Sequence, residues 1–123
     1  MRVAVVIPAL DEEESLPLVL ADLASHVPCR AIVVDNGSSD RTAAVAAEAG
    51  ATVVFEPQRG YGGACLAGIR WLRDNDPPDV LVILDADHAD DPAFLPRFLA
   101  LIERGEADLV LSTRTRGGAE PGA

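Results

Sequence analysis

Lysine is absent from these 123 residues, and all ten basic side chains are arginine. Against them stand twenty aspartates and glutamates, giving a net charge of −10 and a pI near 4.4. So little positive charge excludes a surface built for nucleic acid or for an anionic membrane, both of which need basic patches. Cysteine is scarce too. Cys29 and Cys65 stand far apart, without metal-ligand spacing, inside apolar segments. They read as reduced packing residues in a cytoplasmic protein, and that compartment disfavours a disulfide between them. Long hydrophobic runs are also missing, and none approaches the roughly 20 residues that span a bilayer. The opening "RVAVVIPAL" is too short for a signal peptide and is cut by Pro8 and then by acid. Any membrane association is therefore expected to be peripheral to the cytoplasmic face, through a lipid substrate or through elements outside this sequence.

What is present is a globular core composition, with 49% hydrophobic residues in a length that suits one domain. Five short apolar runs recur: Arg2–Ile7, Ala31–Asp35, Thr52–Phe55, Val80–Leu84 and Asp108–Leu111. They are rich in β-branched residues and apolar on both faces, as strands buried in a parallel sheet are. Helical patterns separate them. Leu16, Val19, Leu20 and Leu23 follow i, i+3, i+4, i+7, as do Leu95, Phe98, Leu99 and Ile102, while Cys65, Ile69 and Leu72 share a face. Asp40 is expected to cap an Ala-rich helix ending at Gly50, and Asp91-Pro92 to open the fourth helix. This alternation predicts an α/β fold: a doubly wound, mostly parallel sheet of about five strands with right-handed crossovers. The folded domain is expected over residues 1–112. The Gly-rich, apolar-poor stretch 113–123 is expected to be flexible or truncated.

In such sheets ligands bind outside the carboxyl ends of the strands. The polar clusters fall there: "PALDEEE", "DNGSSD", "PQRGYGG", "DADHADD" and "STRTR" follow the five strands in turn. In "VVDNGSSDRT", Gly37 and Asp40 are accounted for by a strand–turn–helix connector. Asp35 is not, and its carboxylate could equally belong to the turn or accept hydrogen bonds from a nucleobase or ribose. In "QRGYGGACLAGI", Gly60, Gly62 and Gly63 open a helix whose free N–H groups let a ligand approach. The pattern is neither a P-loop nor a dinucleotide fingerprint, and a simple flexible loop explains it as well. In "LDADHADDP", Asp90 and Asp91 serve the following helix as cap and dipole partners. Asp85 and Asp87 precede that helix, and their i, i+2 spacing off a strand end suits a hard divalent cation, which takes oxygen ligands and shares them with a diphosphate. A solvated acidic loop is the competing reading. His88 reads as an exposed loop residue.

Taken together, these segments resemble the nucleotide-sugar half of a family 2 glycosyltransferase with the GT-A fold, closest to the dolichyl- or polyprenyl-phosphate mannosyl- and glucosyltransferase branch. "IPALDEEESL" resembles P-x-x-N-E-x-x-x-L, with Asp11 in place of Asn. "VVDNGSSDRT" resembles V-D-D-G-S-x-D-x-T, with Asn36 in place of the second Asp. "RGYGGACLAGI" resembles R-G-x-G-x-A, "LDADHADDP" the D-x-D motif with its trailing D-P, and "STR" the G-S-R after the fifth strand. The match runs in order over essentially the whole chain. It implies a Rossmann-like nucleotide-sugar domain in which Pro8, Ala9 and Glu12 line the nucleotide pocket and Asp35 holds the base. Gly60, Gly62 and Ala86 would border the donor. Asp85 and Asp87 would bind Mg²⁺ or Mn²⁺ against the diphosphate of a UDP- or GDP-sugar, and Arg114 would reach the same phosphates. The implied reaction is an inverting displacement by an acceptor such as a polyprenyl phosphate, helped by a carboxylate base.

The resemblance places that base and the acceptor site beyond residue 123, so a non-catalytic nucleotide-sugar-binding module is the alternative. The catalytic base is left unassigned. Glu120 lies in a Gly/Pro-rich tail and is not nominated. Apolar surface meant for a missing half would favour self-association. Two other classes fit worse. A response-regulator receiver domain needs an aspartate after the third strand and a lysine after the fifth, whereas the third strand here ends in Glu56-Pro57 and lysine is absent. A nucleotidyltransferase should carry a basic, Gly-rich loop after strand one, where this chain has "PALDEEES".

Overall fold

The computed structural model describes residues 1–87 and 95–104. Four strands, β1 (Val3–Ala9), β2 (Arg30–Asp35), β3 (Thr52–Phe55) and β4 (Val80–Ile83), alternate with four helices, α1 (Leu16–His26), α2 (Thr42–Glu48), α3 (Tyr61–Asn75) and α4 (Leu95–Glu103). The strands form one parallel sheet in the order β3-β2-β1-β4. The expected doubly wound α/β architecture is therefore present, with four strands among the described residues. The run Asp108–Leu111, expected as a fifth strand, lies outside them, as does the segment 113–123.

Strand alternation assigns the two faces. Val5, Ile7 and Ala9 of β1 pack with Leu16, Val19 and Leu23 of α1, Ala46 of α2, and Leu95 and Leu99 of α4. Ala4 and Val6 point the other way, with Ile32 and Val34, onto Ala64 and Leu72 of α3. Burying both faces is why these strands read as unbroken apolar runs. Gly68 lets α3 come close: a Cβ there would lie 2.6 Å from Val6 Cγ1 and 3.1 Å from Val34 Cγ2.

Helix ends explain two boundary differences from the sequence reading. α2 begins at Thr42, with Arg41 in the cap position. Asp40 sits one residue earlier than a cap, yet its Oδ1 still accepts the Thr42 N–H at 2.9 Å. At the other end Gly50, at φ 90°, donates its N–H to Ala47 O, and Ala51 donates to Ala46 O. This left-handed glycine termination closes the helix at Glu48, two residues before the glycine.

β1 runs two residues further than expected, through Pro8 and Ala9. A proline is tolerated there for a specific reason. Val6 O accepts the Leu84 N–H, so Val6 faces β4, and Pro8, two residues on, faces the same side. The last β1–β4 partners are Val6 and Ile83. β4 has ended at that level, so no ladder donor is missing. On its other side β1 stays paired up to Ala9 with Asp35. The sheet edge is thus notched between β1 and β4, where the strand order reverses, and such a switch point is where α/β sheets bind ligands.

Candidate functional site

The notch opens into a cavity of about 290 Å³. The end of β1 supplies Pro8, Ala9, Leu10 and Glu12, and the turn after β2 supplies Asn36. The β3–α3 loop adds Arg59 and Gly60, the first residue of α3 adds Tyr61, and the segment just after β4 adds Asp85, Ala86 and Asp87. Seven of the residues singled out in the sequence thus stand around one space: Pro8, Ala9, Glu12, Gly60, Asp85, Ala86 and Asp87. Asp35 and Gly62 are outside the lining, and Arg114 lies outside the described residues, as do His88, Asp90 and Asp91.

Three loops hold the cavity's rim through one another. Asp11, at φ 53°, accepts the Ser39 N–H at 2.8 Å and donates its own N–H to Ser38 Oγ at 2.9 Å. The positive φ is one that a short polar side chain tolerates. Glu12 donates its N–H to Thr42 Oγ1 at 2.9 Å, while the fully buried Thr42 hydroxyl donates to Asp40. That hydroxyl, ahead of the backbone donors, holds the Asp40 carboxyl below the usual carboxylate range. Ser15, in the cap position of α1, does not cap its own helix. Its hydroxyl lies 2.6 Å from Ala86 O and 2.8 Å from Glu12 Oε2, tying the start of α1 to the turn between Asp85 and Asp87.

The electrostatics are one-sided. Glu12, Asp85 and Asp87 present carboxylates, and Arg59 is the single basic residue among the described lining residues. Asp85 is only 5% exposed, with the Tyr61 hydroxyl at a long 3.5 Å from its Oδ1. Arg59 is anchored by donating to Gly37 O at 3.1 Å. Behind the rim, burial pushes the Cys65 thiol up, and the nearby Asp85 charge adds to that. Burial likewise raises Cys29. Both cysteines are free, and thiols held in this way are packing groups.

Among the described residues no three His, Cys, Asp or Glu side chains converge as a complete metal cage. Asp85 and Asp87 are two oxygen donors of the hard kind Mg²⁺ and Mn²⁺ prefer, so any ion here would take its other ligands from a bound anion and water. An anionic ligand could enter so acidic a cavity with such an ion as counter-charge.

Asp35 behaves differently from Asp85. It is 7% exposed, and its Oδ1 accepts the Ser38 N–H at 2.9 Å, so at least one oxygen serves its own turn. Sequence reasoning did not single out Leu10, Asn36, Arg59 or Tyr61 as lining residues. Arg59 and Tyr61 sat in plain view within "RGYGG". Nothing in sequence spacing signals that Asn36 reaches a loop 20 to 24 positions away.

Comparison with known proteins gives one consistent result. The model of the glycosyl transferase family 2 matches residues 4–123. A glycosyltransferase of Mycobacterium tuberculosis, itself described as uncharacterized, is 48% identical over 112 residues, covering 91% of this chain and 48% of its own. The undecaprenyl-phosphate mannosyltransferase of Micrococcus luteus is 40% identical over 127 residues, covering 98% and 51%. Among solved structures, glucosyl-3-phosphoglycerate synthase of M. tuberculosis in complex with Mn²⁺, UDP-glucose and phosphoglyceric acid superposes with a TM-score of 0.69. It is 27% identical, over 85% of this chain and 40% of that one. The chain spans about half the length of these relatives.

Proposed function

Since the chain belongs to glycosyl transferase family 2, we propose that its notch cavity binds the nucleoside diphosphate of a UDP- or GDP-sugar together with Mg²⁺ or Mn²⁺. The observation that carries this reading is that Asp85, Asp87, Glu12 and Arg59 line one cavity at the β1–β4 switch point. A nucleoside diphosphate is the kind of anion that needs both a divalent ion and a guanidinium, and its departure builds charge that both can neutralise. Solved neighbours in complex with Mn²⁺ and UDP or UDP-glucose support the same ligand class.

In this reading Asp85 and Asp87 hold the ion, and the ion would supply Lewis-acid stabilisation of the leaving diphosphate. The residues of the chain itself bind and orient. Pro8 and Ala9 form an apolar floor, and Gly60 lets the ligand approach the backbone closely. Arg59 faces the anion, with Asp35 on the nucleoside side and Ala86 between the two ion-binding carboxylates. Gly62 and Arg114 complete the proposed donor contacts. The sugar would pass, with inversion, to an acceptor such as a polyprenyl phosphate. Relatives named as polyprenyl-phosphate mannosyltransferases and synthases support that choice. Among the described residues no helix is long and apolar enough to cross a membrane, so a lipid acceptor would be met at a membrane face.

A second reading, a donor-binding module that leaves transfer to other residues, draws on the half-length match to the relatives. A labelled UDP- or GDP-hexose, offered with polyprenyl phosphate to this chain and to any longer polypeptide containing it, separates the two. Transfer by the longer form, with slow hydrolysis by this chain, is expected. Release of no nucleoside diphosphate by either would contradict an enzyme.

A further inference from the structure

We propose that Asn36 is a positioning residue for this cavity, locking the β3–α3 loop into place as one of its walls; the inference rests on the nucleotide-binding reading above. Asn36 is 5% exposed at the end of β2, and its carboxamide is fully used. Nδ2 donates to Glu56 O at 2.8 Å and to Gln58 O at 2.9 Å, while Oδ1 accepts the Gly60 N–H at 3.0 Å. These partners fix the orientation of the amide, since turning it over would set an oxygen against two carbonyls and an NH₂ against an N–H.

All three bonds reach one segment 20 to 24 residues away, and none lies within the turn that carries Asn36. Past the Glu56 N–H, which donates to Asp35 O at 3.0 Å, that segment bridges to the start of α3 without further ladder bonds of its own. Arg59, Gly60 and Tyr61 follow within it and form one side of the cavity. Gly60, at φ 142°, holds a conformation open to glycine and rare for L side chains, and the bond from its N–H to Asn36 Oδ1 selects it from the many that glycine can adopt. Arg59 closes the same connection from the other side by donating to Gly37 O. Asn36 supplies three of the bonds that fix where the cavity's guanidinium and its phenol stand.

The chemistry of the bonds makes the role separable from bulk. A leucine has nearly the same shape but neither donor nor acceptor, so the carbonyls of Glu56 and Gln58 and the Gly60 N–H would lose their partner and the loop would open. The test is Asn36→Leu in the intact chain, with Asn36→Ser as a milder variant that keeps one hydroxyl should the first not fold. Calorimetry with UDP and GDP in Mn²⁺ and hydrogen exchange of peptides covering residues 56–60 and β1 are measured together. At least a ten-fold weaker nucleotide affinity is expected, with faster exchange over 56–60 and unchanged exchange in β1. Unchanged exchange over 56–60, or equal acceleration in β1, would overturn the positioning role, and so would loop opening with unchanged affinity. The exchange contrast needs no nucleotide. If the wild-type chain binds neither UDP nor GDP, the nucleotide-binding reading fails, and the exchange data still decide whether Asn36 holds the loop.

Discussion

Asp35 accepts the Ser38 N–H while Asp85 and Asp87 line the cavity, so aspartates at the ends of β2 and β4 carry different chemistry. Their positions in the sequence are alike, and hydrogen-bond partners tell them apart. Asp87→Ala is expected to remove the Mn²⁺ dependence of nucleotide binding, because one of the two carboxylates proposed to hold the ion is gone. Calorimetry in Mn²⁺ and in EDTA measures it, and an undiminished metal effect would return Asp87 to the solvated surface. Asp35→Ala is expected to weaken UDP by about 1.5–3 kcal/mol, the worth of a hydrogen bond to a charged group, while leaving pyrophosphate binding unchanged. Equal losses for UDP and pyrophosphate would assign Asp35 to its turn. The carboxylates of the D-x-D stretch were legible in the sequence because alternation off an apolar strand leaves few other uses for them. Asn36 and Tyr61 were not, since their placement depends on a loop brought alongside by the sheet.

Elements were easier to read than their ends. Both-face apolar runs correspond to the four described strands, and apolar spacing on one face to α1, α3 and α4. The extension of β1 through Pro8 escaped notice, because a proline ends a strand unless its neighbour has already stopped, and that is a tertiary fact. Gly68 was similarly opaque, being one more glycine in a Gly- and Ala-rich helix. Its missing side chain is what seats α3 on Val6 and Val34. Gly68→Ala gains up to about 1 kcal/mol of helix propensity. It meets an overpacking cost of about 1–3 kcal/mol in a rigid interface. Net destabilisation is therefore expected in urea, followed by the fluorescence of the single tryptophan, Trp71, which packs in that layer. Increased stability would mean that α3 shifts freely. Asp40 gives the element scale its pH dependence. Its carboxyl is held low by the Thr42 hydroxyl, so its contribution is complete above the ordinary carboxylate range and is lost as pH falls through the depressed value. The melting temperature of Asp40→Ala should fall below wild type at pH 7, and the gap should narrow in acid below about pH 4. A gap that widens in acid would reverse the sign.

At the scale of the molecule, the order β3-β2-β1-β4 and the early end of β4 bring four separate loops to one notch. That polar clusters follow the strands was legible; that the notch between β1 and β4 gathers them, and leaves Asp35 and Gly62 outside its lining, was not. The pairing register decides it, and register is a property of the assembled sheet. The acidic charge of the whole chain sharpens the consequence. A net charge of −10 repels a nucleoside diphosphate from every side, and one guanidinium among the described lining residues offsets little of it. A divalent ion at Asp85 and Asp87 is what would make the cavity receptive. Calorimetric titration of UDP and GDP into the chain, first with Mn²⁺ and then with EDTA, tests this most directly. Saturable binding of at least one nucleotide with Mn²⁺, lost in EDTA, is the predicted result, and equal affinity under both conditions would contradict it.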